Sequence, residues 1–158
     1  MPTLWDRIAR LRVLIHAVAK RLQWLPPTVA RITLGWIFLQ SGWGKLHDLP
    51  KVVAFFTELG VPAPQIQAPF AAGTEFVCGA LLLLGLFTRV ASIPLAIIMV
   101  VAIVTAKKGD IHELSDLFGF SEYLYIALLA YLAAYGAGPL SLDRLFARRL
   151  EAQAASRA

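Results

Sequence analysis

The chain has 158 residues, enough for one domain; 58% are hydrophobic, 16% are charged, and the mean hydropathy is +0.67. A soluble domain carries about a quarter charged residues, so this composition belongs to a membrane protein. The net charge of +5 does not signal nucleic acid, because the basic residues gather at the two ends of the chain and not beside aromatic stacking platforms.

Residues 1–27 read as an amphipathic, basic helix lying in the membrane interface. Leu4, Ile8, Leu11, Ile15, Val18 and Leu22 recur at three- and four-residue spacing between Thr3 and Leu25, with Arg7, Arg10, Lys20 and Arg21 largely between them. Charges throughout the segment argue against a signal peptide. Pro26-Pro27 is expected to break this helix, and Thr28 to cap the next.

Residues 28–145 then read as four spans. The first covers about 29–46, with Arg31 and Lys45 at its ends placed to snorkel toward headgroups. In the connection after it, LPKVVAFFTELG suits a short amphipathic helix ended by Gly60, and prolines 62, 64 and 69 predict extended chain up to the second span. That span, about 69–87, carries Glu75 inside an apolar run; Cys78, Gly79 and Leu82 share its face. Thr88-Arg89 is the only polar break before the third span, about 90–106, so these two are antiparallel neighbours. The fourth, about 122–137, is stopped by Gly136-Ala137-Gly138-Pro139, and 146–158 is a basic tail. With both termini on one side, that side collects 11 Lys and Arg residues against Lys45, Lys51, Lys107 and Lys108 on the other, which places the termini in the cytoplasm.

A carboxylate in hydrocarbon costs several kcal/mol unless it is paired, protonated or facing a watery cavity, so Glu75 is either a structural partner or a proton- or ligand-handling group. Counted from the expected outer ends of their spans, Gln40, Glu75 and Tyr131 lie about 7, 9 and 13 Å deep. A four-helix bundle can gather them into one polar pocket with Lys45, His47 and Lys107 at the rim. Such a pocket suits a flat, partly apolar ligand such as a quinone, with Glu75 accepting a proton and Lys, His or Tyr bonding the ring oxygens. The histidines lack metal-ligand spacing, and no phosphate-binding glycine loop or nucleophile triad is present. Cys78, the one cysteine, excludes an intramolecular disulfide and reads as a small apolar filler.

RITLGWIFLQSGWGKL, FFTELGVPAP, AGTEFVCGALLLLGLFTRVAS and SEYLYIALLAYLAAYGAGPLSLDRLF follow one another in order between Arg31 and Leu145. Together they resemble the DoxX family of small four-helix membrane proteins. The family pattern has a lysine at Lys45, a glutamate at Glu75, an arginine at Arg89 and an aspartate at Asp143; Arg89 and Asp143 are taken as structural. Where many relatives carry a histidine near the end of the third span, this chain has Ala106-Lys107. The family is named for a subunit of an archaeal quinone-linked thiosulfate-oxidising complex, so the resemblance implies a quinone-linked redox role. It equally implies the alternative of a membrane partner for soluble redox or detoxification enzymes.

The expectation is therefore an all-α, four-span bundle in a bacterial or archaeal cytoplasmic membrane, serving as a subunit of a quinone-linked redox or sulfur-oxidation system. A redox partner protein and a homo-oligomer are the expected associations besides lipid. A non-catalytic anchor and a small-molecule permease are the alternatives.

Overall fold

The computed structural model describes residues 4–155 and is all-helical, with no strand among them. Thr3 and Arg157, part of the expected first segment and tail, lie outside the described residues. The helices are α1 (Leu4–Leu22), α2 (Leu25–His47), α3 (Leu49–Glu58), α4 (Pro64–Leu84), α5 (Thr88–Ala106), α6 (Leu114–Gly119), α7 (Ser121–Tyr135) and α8 (Leu142–Ala155), with a 3-10 turn at Lys108–Asp110.

Both expected proline boundaries move. Pro26 and Pro27 sit inside the first turn of α2, where a missing N–H costs nothing because first-turn donors have no helical partner. Thr28 is therefore not a cap: its hydroxyl donates to the Trp24 carbonyl at 2.7 Å. Pro64 likewise opens α4, after Ala63 turns the chain through a left-handed conformation, and Pro69 lies within the helix. Of the segment expected to be extended, only residues 61–63 stay outside a helix, and α4 starts five residues earlier than the sequence suggests. The basic tail, too, is largely helix α8.

Four helices pack side by side: α2 along α4, α4 beside α5, and α5 along α7, which also touches α2. The α2–α4 pairing is close because its contact stripe is made of small residues. Gly79 packs against the backbone of Phe38 and Leu39, and Gly42 against that of Ala72 and Phe76. Gly85 ends α4 with φ +67°, and the amide of Leu86 donates back to the Leu81 carbonyl at 2.9 Å, so α5 returns antiparallel after three residues. The core between the four holds Leu34, Phe38, Leu82, Leu95, Leu129 and Leu132, with the Phe38 ring edge-on to Tyr125 at 6.0 Å.

The outer faces are apolar as well: Trp36, Val77, Ile93 and Val104 are each more than half exposed. Water would penalise such a surface and hydrocarbon does not. Helices α4 and α5 are long and apolar enough to cross a membrane.

Candidate functional site

Glu75 lies eleven residues after Pro64, about 16 Å along α4 at the helical rise. It is deeper than a helix starting at Pro69 would put it, and only 1% exposed. Its carboxylate is fully engaged. Lys45 Nζ donates to Oε1 at 2.5 Å and to Oε2 at 2.7 Å, and Ser41 Oγ donates to Oε2 at 2.8 Å. The pair forms because the glycine stripe brings α2 and α4 within side-chain reach of each other. Ser41 stands one turn before Lys45 and so shares its face.

Lys45 therefore does not snorkel. Its ammonium turns inward and neutralises the carboxylate, while its side chain remains 36% exposed. Arg31 does not snorkel either: it is buried at the other end of α2, where Nη2 donates to the Leu140 carbonyl at 2.8 Å. Ser41 is absent from the sequence-derived site; its i, i+4 spacing to Lys45 was the available signal.

The pair faces a cavity of about 600 Å³ enclosed by the end of α2, by α3, and by α4 and α5. Val52, Phe55 and Phe56 of α3 line it with Leu59 just beyond that helix, as do Ala71 of α4 and Met99 and Ala102 of α5. Asp48, Lys51 and Gln67 join Lys45 and Glu75 as its charged and amide-bearing lining residues. Phe70, Ile97 and Val101 line it too, yet are 74%, 57% and 47% exposed, so the cavity opens sideways onto the apolar outer face of the bundle.

The remaining candidates stand elsewhere. Gln40 is exposed and lines no part of the cavity; five residues from Lys45, it is turned about 140° around the helix. Tyr131 packs on the core, its ring 4.9 Å from that of Tyr135, on a helix that contributes nothing to the lining. His47 is exposed, stacks on Trp43 at 4.1 Å and hydrogen-bonds the Trp43 carbonyl at 2.9 Å. Lys107 pairs with Glu122 at 4.0 Å and lies over the Phe120 ring. The polar pocket of Gln40, Glu75 and Tyr131 is thus not brought together; Lys45, Ser41 and Glu75 are. No group of three or more His, Cys, Asp or Glu side chains suited to a metal ion occurs among the described residues.

At the opposite end of the bundle, Asp143 accepts from the backbone amides of Phe87 at 2.8 Å and Thr88 at 3.2 Å. It supplies from α8 the cap that α5 lacks in its own sequence. Arg89 is exposed beside Gly136, next to this junction.

A helical bundle with an apolar exterior, a buried carboxylate paired with a lysine and a cavity opening onto that exterior is the architecture of a helical membrane protein. The DoxX family profile matches residues 27–108, and the chain belongs to that family. It is 35% identical over 140 residues to an uncharacterized membrane protein of Mycobacterium tuberculosis, covering 80% of this chain and 86% of that protein. It is 30% identical over 115 residues to a Bacillus subtilis protein provisionally named as the oxidoreductase CatD, covering 72% of this chain and 81% of the relative. It is 32% identical over 127 residues to the inner membrane protein YphA of Escherichia coli, covering 73% and 86%. No solved structure matches the chain.

Proposed function

We propose that the chain is a quinone-binding membrane subunit of a redox or sulfur-oxidation system, with the chamber at Lys45 and Glu75 as its ligand site. The observation that carries this reading is the sideways opening past Phe70, Ile97 and Val101: it admits a ligand dissolved in the bilayer. The lining is apolar except at a few points, as a flat ring with an isoprenoid tail requires. Lys45, whose side chain is partly exposed and lines the chamber, is the donor for a ring oxygen, and the Glu75 carboxylate beside it is the group able to hold a proton. A quinone, when bound, supplies two-electron, two-proton chemistry; the electrons come from a partner protein, since the chain's side chains carry no redox centre. The provisional oxidoreductase name of the Bacillus subtilis relative supports the same direction.

In this reading α2, α4, α5 and α7 cross the bacterial or archaeal cytoplasmic membrane with both termini in the cytoplasm, and α1 lies in the interface with its exposed stripe of Ile8, Leu11, Ile15 and Val18 toward lipid. The packing of α2 and α7 against the two helices of membrane-crossing length supports four spans.

A second reading has one observation in its favour. Glu75 accepts three hydrogen bonds, which is what a purely structural pair in a membrane anchor would show. Mass spectrometry of organic extracts from the gently purified protein separates the two. A co-purifying quinone in the wild type, lost in Ala102→Phe, which adds bulk to the chamber wall and leaves both residues of the ion pair in the chain, supports the redox reading. No quinone in the wild type, even when purified from quinone-supplemented membranes, refutes it and leaves the anchor.

A further inference from the structure

We infer that the arginine-rich end of the bundle, opposite the chamber, is a binding site for the headgroup of an anionic phospholipid. The ends of α4 and α7 and the starts of α5 and α8 meet there around two adjoining grooves, of about 570 and 420 Å³. Arg144 and Ser141 line both grooves, Arg89 lines the larger and Arg148 the smaller. None of the three guanidiniums has an ion-pair partner among the described residues. The one carboxylate lining either groove, Asp143, already accepts from two backbone amides. The site therefore has more positive than negative charge, and its cations are arginines, whose planar donors match phosphate oxygens two at a time.

The apolar neighbours identify the kind of anion. Phe87, Val90 and Tyr135 line the larger groove yet are 62%, 65% and 72% exposed. From Val90 the apolar surface continues along α5 through the exposed Ile93 and Ile97, spaced three and four residues apart on one face. A phosphate bound between Arg89 and Arg144 thus has an uninterrupted greasy track for acyl chains beside it. A soluble acidic protein would leave that track uncovered, and a free phosphate would not use it. The opposite end differs in kind: its cations are lysines, which lack the planar fork, and two of the four are paired, Lys107 with Glu122 and Lys45 with Glu75.

The test uses the full chain purified in mild detergent, with native mass spectrometry after adding phosphatidylglycerol or phosphatidylcholine. The wild type is expected to retain phosphatidylglycerol at least tenfold more strongly. Arg89→Gln and Arg144→Gln should each lower that retention about fivefold, following the usual worth of a basic residue near an anionic surface. Arg144→Lys, which keeps the charge without the planar fork, should fall between Arg144→Gln and wild type. Excess glycerol phosphate should displace little of the lipid, because it lacks the chains. Indifference to headgroup charge, or retention unchanged in Arg89→Gln/Arg144→Gln/Arg148→Gln, overturns the inference and leaves the grooves to an acidic protein. Full displacement by glycerol phosphate overturns it in favour of a free-anion site.

Discussion

Truncating either partner of the buried pair should have unequal consequences. Glu75 is 1% exposed and accepts two of its three hydrogen bonds from Lys45. Lys45→Met leaves the carboxylate with Ser41 alone, and stranding one charge of a buried pair costs about 3–5 kcal/mol. Glu75→Gln instead strands an ammonium whose side chain is 36% exposed and opens into the chamber, where water can solvate it. The glutamine keeps an acceptor for Ser41, so the loss is that of charge-assisted bonds to a partly solvated group, about 1–2 kcal/mol. The double variant Lys45→Met/Glu75→Gln removes both charges and should recover most of what Lys45→Met alone loses. Reversible unfolding in mixed detergent micelles, followed by helical circular dichroism, measures all three against the wild type. If Lys45→Met were no worse than Glu75→Gln, or the double variant were worse than both singles, the claim that Lys45 compensates a buried charge would fail.

Two further outcomes follow from the packing. A Cβ at Gly79 would lie 2.5 Å from the Leu39 amide nitrogen and 2.9 Å from the Phe38 carbonyl carbon, backbone that cannot rotate away. Gly79→Ala should therefore destabilise by about 1–3 kcal/mol, whereas Gly73→Ala, whose Cβ meets nothing within 4 Å, should be neutral or stabilise by about 0.5–1 kcal/mol; equal effects at the two sites would contradict the close α2–α4 stripe. Asp143→Ala removes the cap on Phe87 and Thr88, at about 1–2 kcal/mol, and should speed hydrogen exchange of those two amides while Asp143→Asn largely preserves them.

Much of this architecture is legible in the chain order because hydrophobic runs, glycines and charges act locally. The short helix α3 falls where LPKVVAFFTELG puts it, ended by Gly60 with φ +69°. The tight return between α4 and α5 was expected at Thr88-Arg89, but those two residues open α5 and the turn is made by Gly85, Leu86 and Phe87, because Gly85 takes the left-handed conformation that ends α4. Prolines were the local signal that misled: near a helix start they cost nothing, so Pro26, Pro27 and Pro64 stand in the first turns of helices they were expected to interrupt.

The sequence by itself determined that this is a membrane protein and that Glu75 must be compensated, because composition and the cost of a charge in hydrocarbon do not depend on which helices touch. Its place at a helix end put Lys45 at the pocket rim, snorkelling toward headgroups, and did not pair it with Glu75. Which residue compensates Glu75 was decided only by tertiary structure, since that depends on how closely and in what register α2 and α4 pack. With Gly42 and Gly79 at the crossing, Ser41 and Lys45 fall opposite Glu75, and Gln40, one residue away, is carried to the outer face. The same holds for Asp143 and Phe87, 56 residues apart in the chain and hydrogen-bonded in space. Periodicity tells each helix which face is apolar, but the pairing of faces between helices is a property of the folded chain.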